Sequence, residues 1–252
     1  MNEIRLIGRL DIKNDHVIKG IQFEGLRKIG SPLEISTKYY QDGIDELIFI
    51  DTVASLYGRN NLFNIIEKSC EEIFIPITIG GGIRCLEDIK MALNSGADKV
   101  AINSAAIRNE SLITEASKAY GSQAIVGSIE AKQKGNTWEV YIDNGREPTD
   151  INVIDWAKRL ENLGAGEILI TSIDNDGTKQ GFDIELMKMI NKEISIPVIC
   201  SGGCGSIKHI DNLIDECGRV DAISIGSMFH YEIKAIESVK HHLKKPLKSS
   251  KL

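Results

Sequence analysis

The chain of 252 residues predicts a single (β/α)8 barrel, the TIM-barrel class. Three observations lead there. Short β-branched runs alternate with helical spacing eight times, the length suits one barrel as one domain, and the first four units echo in the last four. A doubly wound open sheet is the alternative that the alternation alone leaves open.

In order, the strands fall near residues 4–11, 46–51, 76–80, 98–102, 123–129, 167–172, 196–200 and 221–225. Between them, apolar residues recur at spacings of three and four, as in Leu62, Ile65, Ile66 and Cys70 or in Val153, Trp156, Ala157 and Leu160. That spacing gathers them on one helix face. The run Ile75-Pro76-Ile77-Thr78-Ile79 ends in Gly80-Gly81-Gly82 and returns 121 residues later as Ile196-Pro197-Val198-Ile199-Cys200, ending in Ser201-Gly202-Gly203. Three further pairs keep the order: Asp45–Asp51 with Gly166–Ser172, Ala97–Ser104 with Val220–Ser227, and Arg9–Lys13 with Ser128–Lys132. The repeat defines half-barrels of roughly residues 1–120 and 121–252 and predicts a site with approximate two-fold symmetry. Two junctions, residues 12–31 and 131–150, exceed the usual βα loop and are lid candidates; Gln133–Gly145 in the second reads as a small hairpin.

Composition narrows the partners. A net charge of -6 and a pI near 5.5 argue against nucleic acid, which demands a basic face. The basic tail with Lys240, His241, His242, Lys244, Lys245, Lys248 and Lys251 reads as a solvated helix end. No apolar run approaches a membrane span, and the N-terminus shows no signal pattern. Five cysteines without paired metal spacing suggest free buried thiols in a reducing cytosol.

The chemistry belongs at the C-terminal strand ends. Asp11 ends strand 1 and Glu130 ends its repeat partner, strand 5, so two carboxyls face each other across the mouth and can divide acid and base roles. The bland reading is that each orients its own loop. Gly81 and Gly82 with Asn103 and Ser104 form one candidate phosphate site; Gly202 and Gly203 with Gly226 and Ser227 form the other. Together they suit a substrate with a phosphate at each end, and the alternative is tight turns without a ligand. At the opposite end, Arg5, Glu46, Lys99 and Glu167 each open a strand and meet on the barrel axis. Their ring is either a plug or a gate.

On these residues the chain resembles the cyclase subunit family of imidazole glycerol phosphate synthase along nearly its whole length. The motifs are Leu10-Asp11-Ile12-Lys13, Val17-Ile18-Lys19-Gly20, Phe23-Glu24-Gly25-Leu26-Arg27, Gly43–Leu47, Gly80–Ile83, Gly96–Val100, Gly164–Asp174, and Asp176-Gly177-Thr178 followed by Gly181-Phe182-Asp183. The resemblance implies a barrel that receives ammonia from a separate glutaminase subunit. With it the barrel cleaves and cyclises a ribulosyl-aminoimidazole intermediate carrying two phosphates. It implies Asp11 as catalytic, Lys19, Asp176 and Gly177 as substrate-binding, Arg5, Glu46, Lys99 and Glu167 as an ammonia gate, and Asp98 at the partner face; no metal or organic cofactor is implied. Glu130 stands where the family pattern has a second catalytic aspartate. One extra methylene displaces that carboxyl by ~1 Å, enough to cost ~100-fold in rate. Gly127-Ser128 is similar to paralogues that bring ammonia to nucleotide-linked sugars in surface-polysaccharide pathways, forming acetamidino groups; a non-catalytic activator of a glutaminase is the reading from another class.

Overall fold

The structure, a computed structural model, describes residues 3–53 and 62–244. Eight parallel strands close into a barrel: β1 (Arg5–Lys13), β4 (Glu46–Asp51), β5 (Ile77–Gly80), β6 (Lys99–Ile102), β7 (Ile125–Lys134), β10 (Glu167–Ser172), β11 (Val198–Ser201) and β12 (Ala222–Ile225). The pairing of β7 with β10 and of β12 with β1 completes the ring, which excludes the open sheet. Each strand lies within three residues of its expected start.

Helices between the strands cover the outside: α1 (Pro32–Gln41), α2 (Leu62–Cys70), α3 (Leu86–Asn94), α4 (Ser104–Arg108), α5 (Ser111–Tyr120), α6 (Val153–Leu163), α7 (Ile184–Glu193), α8 (Ile207–Cys217), α9 (Ser227–His230) and α10 (Ile236–Leu243). Local sequence sets their ends. Asn152 caps α6, its Oδ1 accepting from the N–H of Ile154 at 2.8 Å and of Asp155 at 3.3 Å. Gly164 ends the same helix in the left-handed region, φ 104°, where a Cβ would be strained. Val153, Trp156, Ala157 and Leu160 are all buried, as their spacing predicts. No helix among the described residues is long and apolar enough to cross a membrane.

Because side chains alternate along a strand, each strand feeds two cores. Outward residues such as Leu6, Leu47 and Ile168 meet the helices. Inward ones, Ile7, Ile48, Ala101, Val126, Leu169, Ile199 and Ala222, form a separate apolar layer across the lumen. Polar inward residues lie below and above this layer.

Both long junctions are antiparallel ribbons rather than loops. The first contains β2 (His16–Ile21) and β3 (Glu24–Gly30), with β2 paired to β1. The second contains β8 (Thr137–Ile142) and β9 (Glu147–Asn152), with β8 paired to the upper part of β7. This second ribbon is anchored: Trp138 is buried and donates its indole N–H to Asp183 at 2.8 Å. The first is more exposed along β3. Of the cysteines, Cys200 and Cys204 are buried and Cys85 is exposed, so burial does not hold for all five. Lys245, Lys248 and Lys251 of the basic tail lie outside the described residues; Lys240 is ion-paired with Asp45, and His242 Nε2 is hydrogen-bonded to Asp211.

Candidate active site

The site begins with the period of two on β1. Arg5, Ile7, Arg9 and Asp11 all point inward, so one strand supplies the floor, the apolar layer and the mouth. β7 supplies the apolar layer with Val126 and the mouth with Ser128 and Glu130. In the ring of eight, β1 and β7 are four places apart, which sets Asp11 and Glu130 on opposite sides of the mouth.

The two carboxyls differ sharply in surroundings. Asp11 is buried and accepts from Arg9 Nε at 2.8 Å and from Lys19 Nζ at 3.0 Å. Burial alone would raise its pKa, but the two cations and their hydrogen bonds outweigh that and hold it well below the usual carboxylate range. Glu130 lies at the edge of a cleft and accepts a hydrogen bond from the Gly145 N–H at 2.8 Å. Burial pushes its pKa up to about 7, against the pull of that N–H and of Arg9. One carboxyl is thus a fixed anion near neutrality, while the other exchanges a proton.

Lys19, on β2, is buried between Asp11 and Asp176, reaching Asp176 Oδ2 at 2.7 Å. Asp176 and Gly177 belong to the turn after β10, and the Gln22 N–H donates to the Asp176 carbonyl at 2.8 Å. The β2–β3 ribbon therefore rests on that turn. A Cβ on Gly177 would stand 2.1 Å from the Gly20 carbonyl oxygen. At the ribbon tip, Phe23 touches Gly145 of the second ribbon, where a Cβ would come within 2.7 Å of the ring.

The glycine exits differ. Gly81, Gly82, Asn103 and Ser104 line the cleft that Glu130 faces, with Arg84 and Arg108 beside them. Ser104 Oγ accepts from the Asp143 N–H at 3.0 Å, and Arg108 pairs with Asp143 at 2.5 Å. The other exit is overlaid by the segment before α7: the Gly181 N–H donates to the Gly203 carbonyl at 2.8 Å. Gly202 and Gly203 have φ of 100° and 95°. Next to them, the hydroxyls of Ser224 and Ser227 are buried without a hydrogen-bond partner among the described residues.

At the floor, the four charged residues alternate in a closed ring. Arg5 bonds Glu46 at 2.6 Å and also Glu167; Lys99 bonds Glu46 at 3.1 Å and Glu167 at 3.0 Å. Each cation bridges both acids. Asp98 is exposed on the same face, and its Oδ2 accepts from the Ile77 N–H at 2.8 Å. Asp45 and Asp221 make equivalent bonds to the N–H of Leu6 and Val198.

Sequence reasoning missed Arg9, Arg84 and Arg108. Arg9 was signalled by its place two residues before Asp11, on the same strand face. The two others follow glycine or serine exits, where only the fold brings them together.

The comparisons agree with this architecture. The family model for the histidine biosynthesis protein matches residues 5–234. The imidazole glycerol phosphate synthase subunit HisF of Legionella pneumophila is 55% identical over 212 residues, covering 84% of this chain and 100% of the relative. The HisF subunit of Methanopyrus kandleri is 46% identical over 258 residues, covering 95% and 94%. The chain belongs to the histidine biosynthesis protein family, alongside the imidazole glycerol phosphate synthase HisF subunits.

Proposed function

We propose that this chain is the ammonia-using cyclase subunit of an imidazole glycerol phosphate synthase, a lyase/cyclase of histidine biosynthesis working in the cytoplasm. The observation that carries the reading is the pair of opposed carboxyls in different protonation regimes, Asp11 and Glu130, above a lumen whose floor is a ring of charges. A glutaminase subunit docks on the floor, around Asp98. Its ammonia passes Arg5, Glu46, Lys99 and Glu167, crosses the apolar layer and meets the substrate at the mouth.

The substrate is a ribulosyl-aminoimidazole compound with a phosphate at each end. One phosphate occupies the cleft at Gly81, Gly82, Asn103 and Ser104, where Arg84 and Arg108 add positive charge. The other lies at Gly202, Gly203, Gly226 and Ser227, where the Ser227 hydroxyl is available as a donor. Lys19, Asp176 and Gly177 hold the stretch between. Glu130, protonated in a substantial fraction of molecules near neutrality, gives a proton to the leaving group. Asp11 stays anionic and stabilises positive charge as ammonia attacks; held by two cations, it is a weak base. No metal or organic cofactor takes part in this reading.

The experiment supplies the biphosphate intermediate with an ammonium salt and follows imidazole glycerol phosphate. Turnover by the wild type is expected. No product from the wild type, and none from Glu130→Asp, would refute the cyclase reading and direct attention to a nucleotide-linked sugar as acceptor.

A further inference from the structure

The two-fold symmetry of the barrel breaks at several inward positions, and one of them lies directly below the mouth. Arg9 and Ser128 are repeat partners, as Asp11 and Glu130 are, and both face the lumen two residues below the carboxyls. Serine is short and leaves its side open. The Arg9 guanidinium instead crosses the lumen. Its Nη1 donates to Thr171 Oγ1 on β10 at 2.8 Å and to Ser201 Oγ on β11 at 3.3 Å, while Nε holds Asp11. Going round the ring, β10 is three strands from β1, so the side chain covers most of the β10–β12 side. The cleft lies on the other side, walled by Ile50, Ala101, Ser128 and Glu130 from β4, β6 and β7.

A buried guanidinium needs its donors matched, and here three are, by a carboxylate and two hydroxyls that are themselves buried. Such a group is held in place rather than swinging. We propose that Arg9 is a positioning residue that fills one half of the lumen and locks Asp11, directing a small molecule rising along the axis to the Glu130 half of the mouth. The proposal deepens the cyclase reading and rests on it for the identity of that small molecule.

Several charges face these carboxyls. Around Asp11 stand Arg9 on its own strand, Lys19 from β2, Asp176 from the turn after β10, Glu130 from β7 and His230 from α9. His230 is half-buried and kept neutral near pH 7 by desolvation, and its Nδ1 meets the Tyr39 hydroxyl at 2.7 Å. Asp143, from the turn between β8 and β9, adds a negative charge near Glu130. Without Arg9, Asp11 retains one cation, which it shares with Asp176.

The test is a carbon-13 carboxyl NMR titration of the full chain, with no substrate present. In the wild type, Asp11 stays ionised across the accessible range while Glu130 titrates near neutrality. In Arg9→Met, the Asp11 midpoint rises by on the order of 1–3 pH units, the effect of losing an adjacent opposite charge. A smaller rise is expected in Thr171→Val/Ser201→Ala, which keeps the charge but releases the arm. An Asp11 midpoint unchanged in Arg9→Met overturns the proposal; should that variant not fold, an unchanged midpoint in the double variant does so. In the ammonium-driven assay, Arg9→Met gains an acid limb in its pH profile as Asp11 protonates, and Arg9→Lys recovers part of the wild-type profile. Absence of turnover in the wild type, with Asp11 responding as expected, refutes the cyclase reading alone and leaves the positioning role standing.

Discussion

Replacing Glu130 by Gln removes a carboxyl whose ionisation opposes folding. Its pKa is raised from the ordinary 4.5 to about 7, and at 1.36 kcal/mol per unit the shift is worth about 3 kcal/mol. Water at the open side of the cleft reduces this, so we expect between about 1 and 3 kcal/mol. The sign follows from linkage: a raised pKa in the folded state means that the stability contribution is complete below 4.5 and is lost as pH rises through about 7. Glu130→Gln therefore matches the wild type at the acid end of that window and exceeds it in stability above the window. Urea unfolding of both proteins at about pH 4.5 and about pH 8.5 measures the two differences, with all other carboxyls cancelling. Equal differences at the two pH values would refute the assignment of Glu130 as a group kept protonated by burial. The same variant loses ammonium-driven turnover by about 100-fold or more if the proton it carries is used in the reaction.

Gly145→Ala places a methyl against Phe23 at a φ of 72° and should destabilise the ribbon by about 1–2 kcal/mol, moving the alkaline limb of the turnover profile to higher pH as the N–H to Glu130 is displaced. Gly203→Ala would drive a Cβ to 1.9 Å from the Gly181 oxygen, so thermal unfolding should show a loss of several kcal/mol, about 3 or more; Gly25→Ala, with a φ of 61° but open space, should lose only about 1. Lys99→Met leaves Glu46 and Glu167 with one cation between them; about 1–3 kcal/mol of stability should go in urea, and glutamine-driven turnover should change far more than ammonium-driven turnover.

The barrel was legible because its signals are redundant. Eight β-branched runs, their glycine exits and the repeat all point to one topology, and the floor ring follows from four charges placed at strand starts. Asp11 and Glu130 were legible for the same reason, as repeat partners at strand ends. The ribbons were harder. Gln22 and Phe23 form the tip of the first with φ of 53° and 65°, in a turn that carries no glycine at either position. The strand Glu147–Asn152 has Ile151 as its one large aliphatic residue and a proline at its second position, so neither alternation nor hydrophobicity marks it. Arg9 looks in the sequence like a charge interrupting an apolar strand; only closure of the ring brings Thr171 and Ser201, 162 and 192 residues away, within reach of it. The split between the two carboxyls depends on those distant partners, and symmetry by itself suggests the opposite, two equal groups.

The floor of the barrel carries a consequence for association. Asp45, Asp98 and Asp221 each tie down the start of a neighbouring strand, and inside them every member of the charged ring has two partners. A protein settling on this face meets side chains that are already ordered. Freezing a flexible side chain on binding costs about 0.5–1.5 kcal/mol, and here most of that ordering is complete beforehand. For the docking proposed above, the floor is a preset template: the partner would be recognised by shape and charge pattern at once, without first organising the surface it lands on.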